Sequence, residues 1–284
     1  AARIYNKLGQ HDNALEMARK ALDLNFTGEA SWEYANACIK LNRSAEAKKA
    51  LEKVIETDPT NVVANRELGN IYFDEKEYSK AVPLLKKSYE KKPDADIAFK
   101  LGKAALETND LPLAVEHLKN VLKQNPNLHE AGLELARTYF KLSDFANASA
   151  QYDKVIGKAA SSALDSYQNA LSKEKLGDTK GAVVAYTQAI SQFGTARTKE
   201  ALQARLVVGK SQLAAKQYRD ALGQFKFIVA GDKADHPQDI YFLLSEASEG
   251  VGDLAEAISS LEKAIALDSK NIEAYEIGRA SCRE

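Results

Sequence analysis

The chain has 284 residues, of which 45% are hydrophobic and 28% charged, a balance that suits a folded protein and excludes a disordered one. Its formal net charge is −1, so no general excess of cations draws it toward nucleic acid or an anionic membrane surface. No apolar run approaches the ~20 residues that a membrane-spanning helix needs.

The chain opens at Ala1, not Met, and AARIYNKLG reads as the inside of a helix. The native start is therefore expected upstream, and neither a signal peptide nor a compartment, cytoplasmic or periplasmic, follows from this end. From there the sequence repeats itself with a period of about 34 residues. Leu8–Asn25 is the back half of a first copy. Gly28–Pro59, Val62–Pro93, Ala95–Pro126 and His129–Lys158 follow, then looser copies at Ala163–Phe193, Leu202–Gly231 and Gln238–Ser269. Ile272–Glu276 reads as the opening of a ninth. Beyond it, IGRASCRE (Ile277–Glu284) breaks the pattern and matches the in-frame translation of a common sequencing adapter, so residues 277–284 are expected to be a non-native tail. Without Cys282 of that tail the remaining thiol is Cys38, which excludes an intramolecular disulfide and a cysteine-based zinc cluster.

Val62–Pro93 is the best copy. Leu68, Gly69 and Tyr72 share a face of one predicted helix, and Ala81, Leu85 and Ser88 share a face of the next. Gly69 and Ala81 allow the two backbones to cross closely. Asp74–Tyr78 is a polar turn, and Pro93 stops the second helix, as Pro59 and Pro126 do elsewhere. Two places depart from the pattern. AASSA replaces the proline after Val155–Lys158, so residues 159–162 read as a tolerated loop variation or as a kink between two sub-arrays, and Gln192–Glu200 adds residues before the next first helix.

Leu68, Gly69, Tyr72, Tyr78, Ala81 and Pro93, matched one copy later by Leu101, Gly102, Ala105, Leu111, Ala114 and Pro126, resemble the tetratricopeptide repeat family. Ala182, Tyr186 and Ala189, then Ala221 and Phe225, then Ala257, Leu261 and Ala264, extend the resemblance over residues 1–276. It implies an all-α, right-handed superhelical solenoid of antiparallel helix pairs, about eight repeats, with first helices lining a concave groove.

Catalytic and metal signatures are not found. His11, His117, His129 and His236 fall in different copies, without HExxH or ligand spacing. His11 takes the turn site that Tyr78 holds and Cys38 takes the inward site of Tyr72, so both are expected to pack. No GxxxxGK[ST] or GxSxG is present, and Gly250 with Gly252 lies in a helix–turn instead of after a strand. The sequons at Asn25, Asn42 and Asn147 are read as chance. No enzyme activity, cofactor or metal is expected.

What remains is the inner stripe of the first helices. Arg66, Asn70 and Phe73 lie at i, i+4 and i+7 beside the core face. Trp32, Asn36 and Ile39, then Phe99, Lys103 and Leu106, then Leu133, Arg137 and Phe140 are the equivalents. Arg66, Asn70, Lys100, Lys103 and Arg137 would favour acidic partner groups, and Trp32, Phe73, Phe99 and Phe140 would supply apolar contact. The same aromatics could instead pack between neighbouring repeats. The carboxylate clamp by which some family members hold chaperone tails is disfavoured, because Glu130 and Glu134 stand where cations are needed. The asparagine series of sugar-transferring members is replaced by Glu33, Glu67, Lys100, Glu134 and Gln168. The expected function is a non-enzymatic protein–protein interaction scaffold or adaptor for a protein or peptide partner. The alternatives are the targeting arm of a larger enzyme and a cell-envelope assembly factor. RNA binding is disfavoured by the near-neutral charge.

Overall fold

A computed structural model describes residues 1–24, 28–230 and 238–267. Sixteen α-helices form among them, and the one strand-like feature is a bridge between Ile156 and Ala159. The helices group into two compact units, Ala1–Asp144 and Phe145–Glu284. The copy expected to open at Ile272 and the expected tail Ile277–Glu284 lie outside the described residues.

The first unit contains α1 (Ala2–Lys7), α2 (His11–Leu24), α3 (Gly28–Lys40), α4 (Ser44–Thr57), α5 (Val62–Asp74), α6 (Tyr78–Lys91), α7 (Ala95–Glu107), α8 (Leu111–Gln124) and α9 (His129–Lys141). Within it, α1 to α8 form four helix pairs, and each second helix also packs on the next first helix. The second unit contains α10 (Phe145–Val155), α11 (Ala163–Lys175), α12 (Thr179–Phe193), α13 (Lys199–Ala214), α14 (Tyr218–Val229), α15 (Gln238–Gly250) and α16 (Leu254–Leu267). There α11 to α16 make three pairs, with α10 packed on α11.

Local chemistry sets the boundaries. Asn61 caps α5 by accepting from the Ala64 amide, Asp94 caps α7, Asp110 caps α8 and Thr198 caps α13. Asp58 and Lys92, each just before a proline, are driven out of the helical region (φ −137° and −142°), so α4 and α6 stop there. Each turn inside a pair places one residue at positive φ: Lys76 at 61°, Asn109 at 63°, Gly177 at 78° and Lys216 at 59°.

The pairs close on small residues. A Cβ built on Gly69 would stand 2.8 Å from Leu85 Cδ2, one on Gly102 would stand 2.8 Å from Leu118 Cγ, and one on Gly209 would stand 2.6 Å from Phe225 Cε1. Leu85, Leu118 and Phe225 are fully buried. Across pairs, Leu51, Val54, Leu68, Tyr72, Leu85, Ile97 and Leu101 join one continuous apolar cluster. Burial at roughly 1.5–3 kcal/mol per large apolar side chain is thus shared between neighbours rather than held within one repeat.

The α10–α11 contact departs from this scheme. Asn169 takes the register position of Leu68, Leu101 and Leu135, and its amide donates to Asp153 Oδ1 (2.8 Å). Lys173, in the position of Tyr72, reaches Asp153 Oδ2 at 2.7 Å. The segment 159–162 lies just before this polar contact, and Ser162 closes a reciprocal capping box with Asp165 at the start of α11.

Cys38 is fully buried, and burial pushes its thiol pKa up to about 11; it is an inert packing residue. His11 is half-buried, with its Nδ1 3.3 Å from Asn6 Oδ1. His117 is 4% exposed and meets Tyr89 edge to face, with ring centroids 4.7 Å apart. Its Nδ1 has no hydrogen-bond partner, and burial lowers its pKa despite nearby Glu116.

Gly102→Val is expected to destabilise the protein by about 1–3 kcal/mol through overpacking against Leu118. Gly223→Ala, where an added Cβ meets nothing within 4 Å, is expected to stabilise by roughly 0.5–1 kcal/mol. Urea midpoints measure both. For His117 the folded state binds the proton less readily than the unfolded chain. Stability should therefore fall as pH drops through about 6.5, by at most ~1.4 kcal/mol per pH unit from this group, down to its lowered folded-state pKa. A His117→Phe variant should lose that acid sensitivity in pH-dependent unfolding.

Candidate functional site

The ten residues singled out along the inner stripe all lie on α3, α5, α7 and α9, the first helices of the first unit. Their environments sort them into three groups.

The aromatics are half-buried. Trp32 and Phe73 lean against the apolar cluster around Leu68 and Leu85, and Phe73 also meets Tyr78 edge to face at 5.6 Å. The Phe99 ring lies 5.8 Å from the Lys103 ammonium. Phe140 is likewise half-buried at the end of α9. Two other members of the stripe, Leu106 at 2% and Leu133 at 3% exposed, are core residues.

The cations are held internally. Lys103 Nζ lies 3.3 Å from Glu130 and 3.4 Å from Glu134, and Arg137 Nη1 lies 3.1 Å from the same Glu134 oxygen. Glu134 is itself buried, where a carboxylate without such partners would be costly. Burial alone would lower the Lys103 pKa, but the charges and hydrogen bonds of Glu134 and Glu130 outweigh it and the net shift is upward. Lys100 Nζ donates to Asn70 Oδ1 at 3.0 Å and lies 3.2 Å from Asp96, while Arg66 Nε reaches Glu67 at 3.1 Å.

The amides differ from one another. Asn70 has its oxygen engaged by Lys100. Asn36 is half-buried and makes no side-chain hydrogen bond to the described residues. The structure thus joins Asn70 with Lys100, Phe99 with Lys103, and Lys103 with Arg137 through Glu134; Trp32 and Asn36 stand apart from these contacts.

The series Glu33, Glu67, Lys100, Glu134 and Gln168 is engaged throughout. Glu33 accepts from Asn6 Nδ2 at 2.8 Å, and Gln168 accepts from the Tyr152 hydroxyl at 2.6 Å. These acids stabilise the protein's own cations and amides. Their pairing was not visible in the sequence, because partners such as Asn6 and Glu33 stand 27 residues apart on different repeats. Also unflagged there were Tyr167, Leu206 and Phe242, half-buried in the second unit at the register of Arg66. Repeat spacing alone would have located them. Among the described residues no group of His, Cys, Asp and Glu is placed to hold a metal ion, and no helix is long and apolar enough to cross a membrane.

Three family models, each described as tetratricopeptide repeat, match residues 39–106, residues 99–163, and residues 1–27 with 238–271. BBSome complex member BBS4 of Bos taurus is 26% identical over 278 residues, covering 95% of this chain and 51% of that protein. Stress-induced-phosphoprotein 1 of Caenorhabditis elegans is 25% identical over 169 residues, covering 48% and 53%. The chain therefore spans about half the length of the curated relatives it matches. Among solved structures, YrrB, described as a TPR protein with an unusual peptide-binding site, superposes with a TM-score of 0.52 at 17% identity, covering 69% of this chain and 97% of its own; that likeness concerns the fold. With the repeated helix pairs, the glycine crossings and the three matching models together, the chain belongs to the tetratricopeptide repeat family.

Proposed function

We propose that the chain is a non-enzymatic protein–protein interaction scaffold that holds a peptide or partner segment on the first-helix face of its first unit. One observation carries this reading. Trp32, Phe73, Phe99 and Phe140 are half-buried on the first helices α3, α5, α7 and α9, and the half-buried Asn36 amide makes no side-chain hydrogen bond to the described residues. Apolar rings interleaved with an amide suit a polypeptide, whose side chains need apolar pockets and whose backbone needs hydrogen-bond partners.

The electrostatics refine the partner. An acidic group arriving at Lys100, Lys103 or Arg137 would have to displace Asp96, Glu130 or Glu134, each already in place. Recognition on this face then rests on rings and amides, with charge setting mainly what is rejected. A second reading, the targeting arm of a longer protein, is favoured by the half-length match to the curated relatives; the intact coding sequence decides it.

Panning a random-peptide display library on the immobilised protein tests the site. The selected peptides should bind a variant carrying Asn36→Ala and Phe99→Ala at least about tenfold more weakly, a loss of ~1.4 kcal/mol, with circular dichroism unchanged. They should also be enriched in apolar residues and keep their affinity at raised salt. Undiminished binding by the double variant would remove the face from the account.

A further inference from the structure

The added residues before α13 do more than lengthen a loop. Gly194–Thr198 separate α12 from α13, whereas Lys92–Asp94 suffice between α6 and α7. The longer approach delivers Arg197 to the carboxyl end of α14, where Nη1 donates to the Phe227 carbonyl (2.7 Å) and Nη2 to that of Ile228 (2.8 Å). Arg205, two turns into α13, donates to Gln224 Oε1 (3.0 Å) and to the Gly194 carbonyl (2.8 Å). Its guanidinium carbon lies 3.7 Å from the Phe227 ring centroid, and that of Arg197 lies 4.9 Å from it. Two cations therefore share one aromatic ring.

No carboxylate of the described residues pairs with either arginine. Every acceptor they use among the described residues is a neutral carbonyl or amide, and Arg205 Nε is buried without an acceptor among them. Arg66, Lys100, Lys103 and Arg137 differ, since each has an acid within ion-pair distance. The repeat does not demand Arg205 either: Asn65, Ala98, Gly132 and Ser166 occupy its register position. Burial and the neighbouring Arg197 charge both work against its protonated form, so a counter-charge at this place would relieve an existing cost.

We propose that Arg197 and Arg205, gathered around Phe227, form a docking site for a carboxylate carried by a partner protein. Each guanidinium has five N–H donors in a planar fork that matches a carboxylate, and among the described residues two on each are engaged. The polypeptide source follows from the reading of the chain as a scaffold, but the place is separate from the first-helix face of the first unit. The acidic preference that the inner-stripe cations suggested is thereby assigned to a different pair of residues.

The test follows the arginine Nε–Hε resonances of the whole chain by NMR during titration with acetyl-triglutamate amide, acetyl-triglutamine amide and inorganic phosphate. These resonances report on the two guanidiniums themselves, so the outcome does not depend on whether the first-helix face binds a peptide. The glutamate peptide should shift Arg197 and Arg205 saturably, the glutamine peptide should not, and added salt should weaken the response. Arg205→Gln should reduce the affinity about tenfold. If that variant fails to fold, Arg197→Gln, at an exposed position, should produce a loss of the same order. Absence of a shift with the glutamate peptide, an equal shift with the glutamine peptide, a response to phosphate alone, or undiminished affinity in Arg197→Gln would each overturn the site.

Discussion

The close crossing of each helix pair is the constraint on which the other features rest. At Gly69, Gly102 and Gly209 the first helix has no side chain, and the second helix fills the space with Leu85, Leu118 or Phe225. That contact fixes the distance between paired helices. The left-handed turn residue, Lys76 or Asn109 for example, fixes how the chain reverses. Once the pair is set, its outer apolar side chains have nowhere to go except onto the next pair, and Leu51, Leu68 and Leu101 meet across repeats in one cluster. The repeat is thus a unit of geometry but not of stability, as expected for a quasi-one-dimensional array.

Regular crossing puts equivalent positions of neighbouring first helices within reach of one another, and this determines the electrostatics. Lys100 can reach back to Asn70 and Lys103 forward to Glu130 and Glu134 because the period holds them in step. Glu134, nearly removed from solvent, then anchors two cations at once. A charged residue on such a surface serves the array before it serves a ligand. Beside these paired charges stand the half-buried rings of Trp32, Phe73, Phe99 and Phe140 and the half-buried Asn36 amide. Where the period is broken, at the longer approach to α13, Arg197 and Arg205 gather around Phe227 with no acid of the described residues paired to either.

Much of this architecture was legible in the sequence. Leu68, Gly69, Tyr72, Ala81, Leu85 and the stops at Pro59, Pro93 and Pro126 follow local rules, namely spacing on a helix, side-chain size and proline geometry, and the structure places each as expected. The candidate site was less legible, for a physical reason. Whether Leu106 and Leu133 are core or surface depends on the neighbouring helix, and so does whether Lys103 is free or paired. Those contacts join residues about one period apart and turn on side-chain conformations that spacing does not specify. The polar α10–α11 contact was hidden in the same way: AASSA announces a departure, but the Asp153–Asn169 bond that replaces a leucine contact requires both helices to be in place.

The account turns on the claim that the inner-stripe cations are held by the protein's own acids. A double-mutant cycle between Lys103 and Glu134, using Lys103→Met and Glu134→Gln with urea unfolding as the readout, measures it directly. A coupling energy above ~1 kcal/mol is predicted, larger than the few tenths typical of exposed pairs, because Glu134 is only 5% exposed in its side chain and Lys103 only 28%. A coupling within about 0.3 kcal/mol of zero would contradict the account and return Lys103 to the pool of charges available to a partner.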